Sequence, residues 1–175
     1  MNQESLRKKY GLPSKNFLIG SFQRDTEGHD LKTPKLEKGP DIFCDAVLKI
    51  REDRRSKNLS DPEVLLAGWR RQYVISRLEA AKIKYYYHEL PQFDTINDFY
   101  NALDLYIVGS RYEGGPQSIF ECANTYTPII STDVGAASEI LSPKSIFEPG
   151  SVLDCSPDIQ FAKEKVSNLL IPKGF

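Results

Sequence analysis

The chain is poor in the residues that announce many kinds of chemistry. Its three cysteines, Cys44, Cys122 and Cys155, are odd in number and far apart. They form no CxxC or Cys/His spacing, which excludes a disulfide framework and a structural zinc site and makes a reducing, cytoplasmic setting the simplest expectation. The two histidines, His29 and His88, stand alone, so there is neither an HExxH pair nor a plausible Ser/His/Asp set. P-loop and GxGxxG fingerprints are absent as well. No apolar run approaches the roughly 20 residues needed to span a bilayer, and no charged-then-apolar leader opens the chain. Charge of one sign is also lacking. Lys and Arg number 23 against 24 Asp and Glu, a net charge of −1 that argues against nucleic acid as a partner. The basic stretch Arg51 to Lys57 carries acids too and reads as a solvated helix end.

What is present is an ordinary globular composition, 40% hydrophobic and 27% charged over 175 residues, enough for one domain with a real core. Short apolar runs alternate with helical stretches, the pattern of βαβ units. Strands are expected at 17–21, 64–67, 84–88, 105–108 and 128–131, with a short last one at 145–147. Helices are expected at 3–10, from Pro40, at 71–82, from Asp94, at 116–124 and at 158–170. The long polar segment 22–38 separates the first strand from its helix. The fold class is therefore α/β, a single doubly wound parallel sheet of Rossmann-like form covering 1–175. Such sheets bind ligands beyond the carboxyl ends of their strands, which directs attention to the loops 22–40, 68–70, 88–94, 109–116 and 131–139.

Among these, 109–121 (GSRYEGGPQSIFE) is the most informative. A buried strand ends at Val108, and a helix begins near Pro116. Gly114 and Gly115 lack a Cβ, so a ligand could approach the backbone closely. Free N–H groups of Gly115, Gln117 and Ser118 at a helix start would suit a phosphate. Glu121, three residues after Ser118, would share that opening and could accept two hydrogen bonds from a ribose diol, while Glu113 on the rim could take sugar hydroxyls. The same residues also fit a surface loop followed by an amphipathic helix with Ile119 and Phe120 in the core. On residues alone both descriptions stand.

The segment EGGPQSIFE, two glutamates separated by seven residues, resembles the E-x7-E motif of family 4 retaining glycosyltransferases. The continuation ANTYTPIISTDVGAASEIL, the upstream LPQFDTINDFYNALDLYIVGSRYEGG and the opening SLRKKYGLP resemble that family in order, so the likeness covers nearly the whole chain. It implies one half of a GT-B fold, the C-terminal domain that binds a nucleoside diphosphate sugar. It further implies that Glu121 holds the ribose, that Glu113 with the backbone of Gly114, Gly115 and Pro116 contacts the donor sugar, and that Gln117 and Ser118 meet the diphosphate. The family's Arg and Lys, which neutralise the departing diphosphate in place of a metal ion, correspond to Arg24 and Lys38. These lie fourteen positions apart, further than is usual, across what reads as an insertion. The loop of His88, Glu89, Leu90 and Pro91 corresponds to the one that contacts the nucleobase through backbone groups, so His88 and Leu90 join the donor-binding set; the side chain of Tyr87 or His88 either meets the base or fills the core. Glu139 resembles a later family glutamate, although helix capping or surface charge is its plainest role. Trp69 either lines the cleft or packs.

The resemblance implies no cofactor beyond the donor and no metal, a glycan or lipid-linked acceptor held by an N-terminal domain that this chain lacks, and a place in polysaccharide biosynthesis. The full-length protein would be cytoplasmic, with peripheral membrane association at the inner face. The chain ends at 171–175, before the helix that normally crosses back, so it is expected to bind donor yet transfer little sugar. Two other readings remain at this stage: a sugar-nucleotide epimerase or hydrolase of the same fold, and a non-catalytic nucleotide-binding module.

Overall fold

The computed structural model describes residues 2–170; the C-terminal stretch 171–175 discussed above lies outside the described residues. Five strands, β1 (Leu18–Ser21), β2 (Glu63–Ala67), β3 (Tyr85–His88), β4 (Leu105–Val108) and β5 (Ile129–Ser131), form one sheet in the order β3-β2-β1-β4-β5. Every pairing is parallel. Parallel strands need crossovers, and four helices supply them: α2 (Pro40–Ser56), α3 (Gln72–Ala80), α4 (Phe93–Ala102) and α5 (Gln117–Thr125), while α1 (Gln3–Lys9) precedes the sheet and α6 (Ala137–Ile140) and α7 (Ile159–Leu170) follow it.

The strands read as unbroken apolar runs because both faces of the sheet are covered. Successive side chains point to opposite faces, so Leu18, Leu65, Tyr106, Val108 and Ile129 join one core with Phe99, Ile119, Ala162 and Val166. Their neighbours Ile19, Val64, Leu66, Ile107 and Ile130 join the other, with Phe43, Val47, Val74 and Leu78 of α2 and α3. The edge strand β3 is only half-buried along its length, as suits the polar ends of YYYH.

Strand order reverses between β1 and β4. The chain leaves β1 toward one side of the sheet and β4 toward the other, opening a crevice above their carboxyl ends. Into it run the loops 22–39 and 109–116.

The expected short strand at 145–147 does not form. Pro143–Ser145 makes a turn of 3-10 helix instead, and only a single bridge joins Ile146 to Ser131. Pro143 is preset for the first position of such a turn, and the Ser145 N–H is spent on Ser142. Segment 22–38 is not featureless either. An isolated antiparallel bridge ties Thr26 to Pro34, and Leu36–Lys38 forms a second 3-10 turn.

Candidate active site

The crevice is built by backbone contacts between its two loops. Gly39 caps α2 in the left-handed conformation, φ 58°. A Cβ on it would lie 1.7 Å from the Gly109 carbonyl oxygen. Only glycine tolerates both the dihedral and the contact. Beside this crossing, the N–H groups of Arg111 and Tyr112 donate to the Glu37 carbonyl at 2.8 and 3.2 Å. The Arg111 guanidinium forks onto Asp41 at 2.8 and 2.6 Å, and burdened by that pairing Asp41 is held below its ordinary pKa, first by the Arg111 hydrogen bond. On the other side, Gly135 (φ 51°) brings its backbone so near that a Cβ would stand 2.8 Å from the carbonyls of both Glu113 and Gly114. The 109–114 segment is thus clasped from two sides. Gly114 and Gly115 differ: a Cβ on either would meet nothing within 4 Å. Packing does not require glycine there, and the space before them is open.

Two charged groups meet in the crevice. Lys38 Nζ lies 2.6 Å from Glu113 Oε1, which also accepts from Ser110 Oγ at 3.1 Å. The Lys38 side chain is 29% exposed and that of Glu113 14%, so this pair is far less hydrated than a surface salt bridge. Gln23 reaches across to donate to the Lys38 carbonyl at 2.8 Å. Deeper in, Tyr100 donates its hydroxyl to Glu121 Oε2 at 2.6 Å. Burial above all, with Tyr106 and Cys122 alongside, raises the Tyr100 pKa far above the ordinary value. Tyr100 therefore remains a donor, and it orients one oxygen of Glu121 while leaving the other free.

Between the two glutamates lies the start of α5. Pro116 is its cap rather than its first residue, since helical geometry begins at Gln117 and the Ile119 N–H returns to the Pro116 carbonyl at 3.0 Å. No side chain caps the turn. Among the described residues, the N–H groups of Gly115, Gln117 and Ser118 find no acceptor.

Lys38, Glu113, Gly115, Pro116, Gln117, Ser118 and Glu121 all line one cavity of about 510 Å³, together with Phe22, Gln23, Phe93 and Tyr100. Gly114 lines an adjoining hollow of about 630 Å³ on the far side of Glu113, shared with Lys38, Arg111 and Gly135. Three residues singled out from the sequence are not among the lining residues of either. Arg24 donates Nε to the Thr26 carbonyl and lays its guanidinium over Trp69, 5.5 Å from the ring centroid. His88 packs against Phe99, centroids 4.6 Å apart, and burial lowers its pKa. Leu90 projects into solvent. Trp69 neither lines the cavity nor packs inside, being 51% exposed with Arg70 also over its ring. Glu139 is exposed on α6.

Sequence reasoning missed Tyr100, Gln23, Ser110 and Phe93. Phe93 is 80% exposed at the cavity mouth, and a large aromatic left in solvent at a helix start is a signal the sequence could have yielded. Tyr100, which reads as one more core aromatic of α4, offered none.

Comparison with known proteins converges on one family. Residues 31–170 match the family described as Glycosyl transferases group 1. The lipopolysaccharide core biosynthesis mannosyltransferase LpsB of Rhizobium meliloti is 27% identical over 143 residues, covering 78% of this chain but only 37% of that enzyme. The C-terminal domain of a group 1 glycosyl transferase, LpcC, from Francisella tularensis superposes with a TM-score of 0.64 at 19% identity, over 97% of this chain and 82% of that one. Anabaena HepE, solved with UDP and glucose, gives 0.65 at 16% identity over 97% of this chain and 42% of its own. The chain thus spans well under half of LpsB and HepE. With its parallel five-stranded sheet and its match over 31–170, the chain belongs to the Glycosyl transferases group 1 family and has the Rossmann-like fold of a C-terminal GT-B domain.

Proposed function

We propose that this chain is the donor-binding domain of a retaining glycosyltransferase that moves a hexose from a nucleoside diphosphate sugar to a glycan or lipid-linked acceptor. One observation carries the reading. Three N–H groups at the start of α5, without an acceptor among the described residues, open into a cavity bounded by Lys38 and by two carboxylates. A helix start favours anions through its free amides and its dipole, and Lys38 adds a full charge. The diphosphate rests on Gly115, Gln117, Ser118 and Lys38. Glu121, held by Tyr100, takes the ribose diol on its free oxygen. Glu113 and the open space before Gly114 and Gly115 receive the sugar, and the base lies toward Phe93 at the mouth.

When the bond from sugar to diphosphate breaks, negative charge grows on the leaving phosphate. Lys38 and the amides, engaged with the diphosphate since it bound, stabilise that charge without moving further. In this scheme they do the work that a metal ion does elsewhere. Arg24 lies over Trp69, outside the residues that line the cavity. The attacking hydroxyl comes from an acceptor held by a second domain, on the face from which the leaving group departs. The mannosyl transfer of LpsB and the UDP and glucose of HepE support a hexose on a nucleoside diphosphate. Among the described residues no helix is long and apolar enough to cross a membrane; we place the protein in the cytoplasm, with peripheral contact at the inner membrane face.

Calorimetric titration of the chain with UDP, GDP and ADP, then UDP-glucose, GDP-mannose and ADP-glucose, tests the reading. One base series should bind at micromolar levels, and a folded sample that binds none of the six would end it.

A further inference from the structure

The Lys38–Glu113 pair has a consequence that rests on the donor-site reading and goes beyond it. The two side chains cannot be drawn apart by moving their loops. Gly39 and Gly109 are in backbone contact, the Glu37 carbonyl holds two N–H groups of the opposite loop, and Gly135 backs Glu113. The pair is therefore built into the fold, and only side-chain rotation can open it. A diphosphate on the α5 amides needs the Lys38 ammonium, so it must take Lys38 from Glu113. Among the described residues the carboxylate is then left with Ser110 as its one remaining partner, in a position only 14% exposed. A poorly hydrated carboxylate that loses its cation is costly.

What refills Glu113 depends on the ligand. A hexose beyond the second phosphate brings hydroxyl donors to that place. A free nucleoside diphosphate brings none, and it sets its own negative charge near the vacated carboxylate. We propose that the Lys38–Glu113 ion pair is a resting contact whose opening makes the site select the sugar-bearing nucleotide over the nucleoside diphosphate that remains after transfer. Glu113 then acts twice: it holds the sugar while one is present, and it reclaims Lys38 and expels the spent diphosphate once the sugar has gone.

The test uses inorganic pyrophosphate, a probe with neither base nor sugar, titrated calorimetrically into the wild type, Glu113→Gln, Lys38→Met and the double variant. Glu113→Gln should bind pyrophosphate about tenfold more tightly, the scale of one charge-assisted hydrogen bond no longer to be broken. In the Lys38→Met background the same change should gain clearly less, only what relief of charge repulsion gives. Ser110→Ala should act in the opposite direction, weakening pyrophosphate several-fold, because it strips Glu113 of its last partner. With UDP and UDP-glucose, Glu113→Gln should erase the preference for the sugar conjugate. Equal melting temperatures across the set exclude a folding effect. If the gain in Glu113→Gln is missing, or survives undiminished without Lys38, the pair is not the selecting element and simple charge repulsion accounts for the data. Failure of every form to bind pyrophosphate, UDP or UDP-glucose removes the donor site itself and this inference with it.

Discussion

Tyr100 and Glu121 show how a site residue is completed by one that the sequence hides. Glu121 is legible because its spacing from Glu113 and its turn on a helix start give it a face and an opening. Tyr100 lies twenty-one positions earlier on α4, and only the packing of α4 against α5 brings its hydroxyl within 2.6 Å of the carboxylate. Tyr100→Phe keeps the buried ring and deletes this one donor. Nucleotide affinity should then fall about tenfold, the usual worth of a hydrogen bond to a charged group, with little change in melting temperature. Calorimetry beside a thermal melt reads both, and unchanged affinity would free Glu121 of its dependence on Tyr100. Arg24 makes the converse case. Its place after β1 suggested the diphosphate, but an exposed indole nearby offers its guanidinium a flat cation–π surface, and no local rule reveals that competition.

At the scale of elements, four strands were legible because a strand buried on both faces must be apolar without interruption, and the half-buried edge strand β3 because its run of tyrosines favours a strand. The sixth, at 145–147, shared that apolar look yet lay beside a proline whose fixed φ suits a turn. Least visible was the crossing of the two site loops. Gly39 and Gly109 are separated by seventy positions, and nothing in either neighbourhood says that their backbones touch. Gly39→Ala should cost about 2–4 kcal/mol, since it adds left-handed strain to a backbone clash. Urea unfolding measures this, and a loss below 1 kcal/mol would mean that the loops slide past each other freely. The same substitution should disturb Lys38 before it disturbs Glu121, because the crossing sits under the first and not the second.

For the whole molecule, periodicity predicted a doubly wound sheet but not the order of its strands, which long-range crossovers decide. That order matters, because the reversal between β1 and β4 is what sets the Lys38 loop opposite the Glu113 loop. On the proposed donor-binding role, with the acceptor held by a second domain, residues 1–175 should bind sugar nucleotide yet transfer hexose at least about a thousandfold more slowly than a typical enzyme, whose turnover is about 1–10³ per second. Radiolabel transfer to a lipid-linked or glycan acceptor measures this, and turnover at an ordinary enzymatic rate would show that the chain is a complete catalyst. Trp69 gives such experiments a built-in reporter. It is the sole indole of the chain, half in water, with Arg24 and Arg70 over its ring, and Arg24 directly follows the cavity-lining Gln23. All tryptophan fluorescence therefore arises against Arg24, the chain neighbour of a cavity-lining residue, and its colour and yield follow the position of the first loop without any attached dye.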